Sequence, residues 1–229
     1  MKDILSSETV KTLAQFATPT IANAIEKFDL RLRNEGYTDS SICNRISQQE
    51  AMVGFAATLQ MRTSSPPVEG HKYHTRSDWW DSLSLIPSPW LMVIQDVDEI
   101  QGRGSVAGGI HANIFKALGG NGIITNGAIR DLDTMRSLGL HVYSGNITPS
   151  HAYAHIVDFG MPVKIGGLLI RPGDLLHGDE HGIISIPLQI AEKIPETAAE
   201  IQREEQKVID FCNSSEFTIP KLRDLISKK

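Results

Sequence analysis

Cysteine is scarce: the 229 residues include two, Cys43 and Cys212, far apart and without a CxxC pair. That excludes a disulfide framework and a thiolate zinc site and leaves reduced thiols as the expectation. No apolar run approaches the roughly 18 residues a membrane-spanning helix requires, and Met1-Lys2-Asp3-Ile4-Leu5-Ser6 lacks the apolar core of a signal peptide. Basic excess is absent as well. Lys and Arg number 22 against 27 Asp and Glu, a net charge of −5 with both signs scattered, so there is no clustered cationic face for nucleic acid. Neither nucleic acid nor membrane is expected as a partner, and a cytoplasmic protein is. No HExxH, GxSxG, Walker or GxGxxG motif stands in the right context, and there is no internal repeat or low-complexity stretch.

The hydrophobic content, 41%, suffices for one core of ordinary size. Residues 1–187 are expected to form that core, and 188–229 a helical extension packing on it or on a neighbouring subunit. Two short helices open the chain. Ser6-Ser7-Glu8 caps the first. Thr18-Pro19 starts the second, with Thr as N-cap and Pro at the first helical position, and Ile21, Ala24, Ile25 and Phe28 form its stripe. A strand over 52–59 precedes a polar, His-rich loop over 63–78, and a helix is expected from Trp79 to Ile86. Then strand 90–95, helix 110–118, strand 122–125, helix 131–138 and strand 140–144 alternate, the pattern of βαβ units with neighbouring parallel strands. A hairpin, Val163-Lys164-Ile165 and Leu168-Leu169-Ile170 about Gly166-Gly167, a turn at 178–180 and a strand 183–186 close the core. One long amphipathic helix is expected over 188–212.

The C-terminal ends of parallel strands share one edge, where ligands of such sheets usually bind. Two segments meet there. Gly108-Gly109-Ile110-His111 opens a helix, whose free amides and positive dipole end suit a carboxylate or phosphate. After a small-residue turn at Gly127-Ala128, Arg130-Asp131 opens the next helix, where the carboxylate can hold a divalent metal and the guanidinium can neutralise an oxyanion. The plainer alternative is that Asp131 is an N-cap, Arg130 part of a surface ion pair and Gly108-Gly109 a tight turn. His151 and His155 have the i, i+4 spacing of helical metal ligands, but Pro149 and strand-like neighbours argue against a helix, and a substrate-pocket role fits better. His71 and His74 read as solvated.

At this point the chain resembles the regulator of ribonuclease activity A family, which includes the class II pyruvate aldolases acting on 4-hydroxy-4-methyl-2-oxoglutarate. The likeness lies in Gly109, twenty residues, then Arg130-Asp131, within Ala107–Gly109 and Gly122–Asp131, and extends to Thr18–Ile25, Pro149–Tyr153, Arg171–Leu175 and Asp179–Gly182. It implies an α/β fold, a swivelling β/β/α sandwich, assembled as a homotrimer or hexamer. It implies a carbon–carbon lyase dependent on Mg²⁺ or Mn²⁺ that acts on small 2-oxo acids, by retro-aldol cleavage releasing pyruvate or by oxaloacetate decarboxylation through a stabilised enolate. Asp131 would be the metal ligand, Arg130 the enolate-stabilising group, and the Gly108–His111 loop, through the amides of Ile110 and His111, the carboxylate site. The resemblance also aligns Glu205 with an acidic residue that some members lend to the adjacent subunit. Two departures matter: the aldolases carry acids where this chain has Gly109 and Thr134, and Asp133 points about 100° away from the latter on a helix. His111 is a candidate to compensate. A non-catalytic regulator of the ribonuclease-inhibitor type is the alternative. The 63–82 loop, with His71, His74, Trp79 and Trp80, and His151–His155 are the specificity elements.

Overall fold

The computed structural model describes residues 5–46, 48–71 and 73–227; Met1 to Ile4, where part of the leader reading fell, lie outside them. The chain folds as an α/β protein around a nine-stranded mixed sheet. Its parallel centre consists of β2 (Met52–Arg62), β3 (Trp90–Asp96), β5 (Gly120–Ile129) and β6 (His141–Ile147), in the order β6-β5-β3-β2. β4 (Ser105–Ala107) adds in parallel to the end of β5. β1 (Cys43–Ile46) pairs antiparallel with β6, and β7 (His155–Phe159) with β2. β10 (Leu175–Asp179) and β11 (Gly182–Ile186) extend the far side as a hairpin on β2, and β8 (Val163–Ile165) and β9 (Leu168–Ile170) form the small separate sheet. β2 is buried along nearly its whole length, which is why it reads as a continuous apolar run rather than an alternating one.

Helices cover one face of the sheet, and the β8–β9 hairpin packs on the other through Val163, Ile165, Leu168 and Ile170 against Leu91, Val93 and Ile124. α4 (Gly109–Ala117) and α5 (Leu132–Ser137) are the βαβ crossovers. α3 (Arg76–Ser82) joins α4 over one core, where Trp79, Trp90 and Phe115 meet edge to face at centroid distances of 5.3–6.1 Å. α1 (Ser7–Leu13), α2 (Thr18–Glu26) and the first turns of α6 (Ile194–Cys212) share a second core through Leu13, Ile21, Ile25, Ile194 and Ala198.

Several expectations are corrected. Gly127-Ala128 is not a turn: β5 runs through it to Ile129, with a register irregularity between Thr125 and Ala128. Such a bulge admits small residues where a regular ladder does not need them. Thr18 is not the N-cap of α2; Ala17 is. The Thr18 hydroxyl is engaged with buried His177 instead, and its N–H donates to Asp179. The helix placed at 79–86 begins at Arg76, because Thr75 and Asp78 form a capping box, and it ends in a 3₁₀ turn at Leu83–Leu85. The single helix over 188–212 is a 3₁₀ turn at Leu188–Ile190 followed by α6, whose first turn holds Pro195. β1, β4, β10 and α7 (Ile219–Ile226) were not anticipated. Among the described residues no helix is long and apolar enough to cross a membrane.

Candidate active site at the end of the fifth strand

The C-terminal end of β5 is fixed by its neighbours. Arg130 N–H donates to Ala107 O of β4 at 3.2 Å, so the residue after the strand lies beside the start of α4. Behind it the Asn126 amide clasps the backbone of Asp96: Oδ1 accepts from Asp96 N–H at 2.7 Å and Nδ2 donates to Asp96 O at 3.0 Å. The buried Asp96 carboxylate accepts from the N–H groups of Gly102 and Asp98. Burial pushes its pKa up, against those hydrogen bonds. This buried lattice holds the loop between β3 and β4.

Asp131 has left-handed backbone geometry, φ 60° and ψ 43°, a region that Asp tolerates better than most residues. It occupies the N-cap position of α5 but makes no side-chain cap there, so the simple capping alternative does not hold. Its Oδ2 instead accepts from Gly109 N–H, at the head of α4, at 2.7 Å. Arg130 Nε lies 3.7 Å from the same oxygen, and Arg130 also donates to Pro149 O at 3.3 Å. Gly108 makes this proximity feasible: a Cβ there would stand 2.9 Å from Asp131 Oδ2 and 3.0 Å from Arg130 Nε.

These groups line a cavity of about 550 Å³. Gly108, Gly109, Ile110, His111, Arg130 and Asp131 are all on its wall, as are His151 and His155. The segment carrying His151 is drawn in by Ser105 N–H to Ser150 O at 2.8 Å, and Gly104 permits the approach, since a Cβ there would meet His151 O and Thr63 at 2.8 Å. His151 and His155 are not on a helix: His155 begins β7, and each ring Nδ1 lies within 2.8 Å of a nearby backbone carbonyl oxygen. Glu205 is not brought to this cavity within the chain; it lines a separate cleft between α2 and α6 with Glu26 and Arg33. Asp133 turns away as expected and pairs with Arg136 at 2.6 Å. Thr134 does face the pair, within 3.5 Å of where a Gly109 Cβ would be.

Arg76 was missed. It sits on the cavity wall, and no carboxylate pairs with it among the described residues. The capping box Thr75-x-x-Asp78 that starts its helix was the available signal. His111, half-buried beside it, has its pKa held down to about 4 by burial and by the charges of Arg76 and Arg130, so its imidazole is neutral at neutral pH.

No group of three or more His, Cys, Asp or Glu capable of caging a metal occurs among the described residues. What Asp131 offers is one hard oxygen ligand, since its Oδ1 takes no hydrogen bond there. That donor set fits a Mg²⁺-type ion, commonly held by one or two carboxylates with water and substrate; it does not fit zinc, which takes three or four protein ligands.

Fold and site together define an α/β protein with an arginine–aspartate pair at a helix N-terminus in an open cavity. Residues 18–185 match the family described as RraA-like, Aldolase/RraA, and the chain belongs to that family. A relative from Halalkalibacterium halodurans named "Putative 4-hydroxy-4-methyl-2-oxoglutarate aldolase" is 25% identical over 178 residues, 75% of this chain and 77% of its own. Among solved structures, Streptomyces coelicolor RraAS2, titled an unusual member of the RNase ES inhibitor RraA protein family, is 25% identical with a TM-score of 0.67, covering 88% of this chain and 96% of its own. A Pseudomonas syringae protein of the same fold gives a TM-score of 0.73 at 20% identity, covering 96% and 94%.

Proposed function

We propose that this protein is a divalent-metal-dependent lyase acting on 2-oxo acids, by retro-aldol release of pyruvate, decarboxylation of oxaloacetate, or both. The observation that carries the reading is the convergence of Arg130, Asp131 and the first turn of α4 on one cavity. Asp131 would hold Mg²⁺ or Mn²⁺, which when bound supplies Lewis-acid polarisation of the 2-oxo group. Gly109 N–H is taken by Asp131, which leaves the amides of Ile110 and His111, at the positive end of the helix dipole, to hold the substrate carboxylate. Arg130 would neutralise the oxygen that gains charge as the C–C bond breaks, a preorganised interaction that costs no solvent reorganisation.

Assembly as a homotrimer or hexamer belongs to the same reading; Ile110 and Tyr153, 78% and 56% exposed on the cavity wall, are the side chains a second subunit would cover. A cytoplasmic location is part of the same reading. The test is a panel of 2-oxo acids assayed for pyruvate or CO₂ release with Mg²⁺ or Mn²⁺. Metal-dependent turnover is expected; no turnover on any member overturns the proposal.

One observation favours a second reading, a non-catalytic regulator of the ribonuclease-inhibitor type: among the described residues Asp131 is the one carboxylate lining the cavity, with Gly109 and Thr134 where the aldolases carry acids. Thermal melting separates the two readings. A lyase must gain stability from Mn²⁺ with oxalate, because a ligand of the folded state alone raises Tm; a bare regulator gains nothing.

A further inference from the structure

Cleavage of a 4-hydroxy-2-oxo acid requires a group that removes one proton and returns it, and none of Arg130, Asp131 and the helix amides is suited to that. Besides Asp131, the proton-exchanging side chains on the cavity wall are His111, His151, Tyr153, His155 and Ser105. Ser105 donates to Ala107 O at 2.6 Å and is committed. His151 and Tyr153 are exposed, and His151 and His155 are each tied to a nearby carbonyl through Nδ1.

His111 differs from these in three ways. It stands in the first turn of α4, two residues from the amide that holds Asp131. Its ring lies nearly parallel to that of Phe115, at 28° and 6.0 Å between centroids, which restricts its orientation. Neither of its ring nitrogens takes a hydrogen bond among the described residues. The charged groups that bear on it are Arg76 and Arg130, both cations, which keep the ring neutral at rest and, while weakening it as a base, speed the return of a proton once taken.

Resting on the lyase reading above, we propose that His111 is the proton-transfer residue of this site. In the retro-aldol direction, an imidazole nitrogen takes the proton of the substrate's 4-hydroxyl. The O–H electron pair becomes the new carbonyl bond, the C3–C4 bond breaks, and its electron pair passes into the 2-oxo group as an enolate facing Arg130. The imidazolium then delivers the same proton to the enolate carbon, which yields pyruvate and restores neutral His111. No oxidant, reductant or further reactant enters.

The experiment follows exchange of pyruvate methyl protons with solvent deuterium by NMR, using the full chain with Mn²⁺ removed before detection, alongside melting with Mn²⁺ and oxalate. Wild type is expected to exchange. His111→Ala and His111→Phe, the second retaining a ring against Phe115, are expected to lose about 100-fold or more of that rate while keeping the oxalate-induced rise in Tm, and added imidazole should restore part of the rate to His111→Ala. Wild-type exchange that persists within about threefold in both variants overturns the role of His111 and leaves the lyase reading standing. Loss of the oxalate shift together with exchange also overturns it, in favour of a binding role. Absence of exchange in wild type overturns the lyase reading itself.

Discussion

Asp131 Oδ2 accepts a hydrogen bond from Gly109 N–H at 2.7 Å, and this bond joins two loops that are 22 residues apart. It orients the carboxylate from the head of α4, where the helix dipole favours negative charge, and it fixes which amides of that helix remain for a ligand.

Replacing Asp131 should therefore have two effects. Asp131→Ala removes the carboxylate and places alanine in left-handed geometry, a conformational cost of about 1–2 kcal/mol. We expect loss of metal-stimulated turnover and of the Mn²⁺-dependent rise in Tm, with a modest fall in basal Tm; metal-stimulated activity at the wild-type level in this variant would exclude Asp131 as the ligand.

The two glycines should respond differently. Gly108→Ala forces a methyl to within 3.0 Å of both Asp131 and Arg130, whereas at Gly109 the nearest approach is 3.3 Å. Gly108→Ala is expected to lower kcat/KM at least tenfold and Gly109→Ala only slightly, since neither residue has positive φ. Equal effects in steady-state assays would argue against the packing described.

Arg130 and Arg76 should separate into kcat and KM effects. Arg130→Met removes charge from the developing oxyanion and should cost about 100-fold or more in kcat. Arg76→Ala removes from the cavity wall a cation that no carboxylate pairs with among the described residues, and is expected chiefly to raise KM for anionic substrates, by about tenfold. Steady-state kinetics on both variants decides; a pure kcat effect at Arg76 contradicts this role.

Acid should destabilise the fold through a buried histidine remote from the cavity. His177 is fully buried, between the Thr18 hydroxyl and Leu13 O. Burial holds its pKa down to about 4, against the opposing pull of Leu13 O and Asp179. In the unfolded chain the imidazole takes up a proton below about 6.5, while the folded form does not until about 4. The unfolded state thus binds more protons in that window, and stability falls as pH drops from 6.5 towards 4, by an amount of order 3 kcal/mol from this residue. Tm measured between pH 7.5 and 4.5 should show the decline, and His177→Gln should make it shallower but not abolish it, because burial also holds His111 and His141 down to about 4; an unchanged slope in that variant would place the acid sensitivity elsewhere.

Much of this was readable from local pattern. The alternation from residue 90 to 144 gave the βαβ units because buried strands and amphipathic helices differ in period. Gly109 and Arg130-Asp131 stood out because both fall where strands hand over to helices. The reading failed where a local signal had a tertiary competitor. Thr18 has the chemistry of an N-cap, yet its hydroxyl is taken by His177, 159 residues away. Gly127-Ala128 looks like a turn, yet pairing with β4 and β6 keeps it in the strand. Arg76 lay in a segment read as loop, although the capping box beside it was there to be seen.

By itself the sequence determined the class of fold and the residue types at the site, since periodicity, caps and composition are properties of neighbouring residues. Only the tertiary structure decided that the Asp131 carboxylate rests on the Gly109 amide, that Arg76 and His111 share a wall with Arg130, and that Glu205 lines another cleft. Those relationships depend on strand order and register, through which one sheet edge gathers residues from four separate stretches of chain, and no local pattern encodes them.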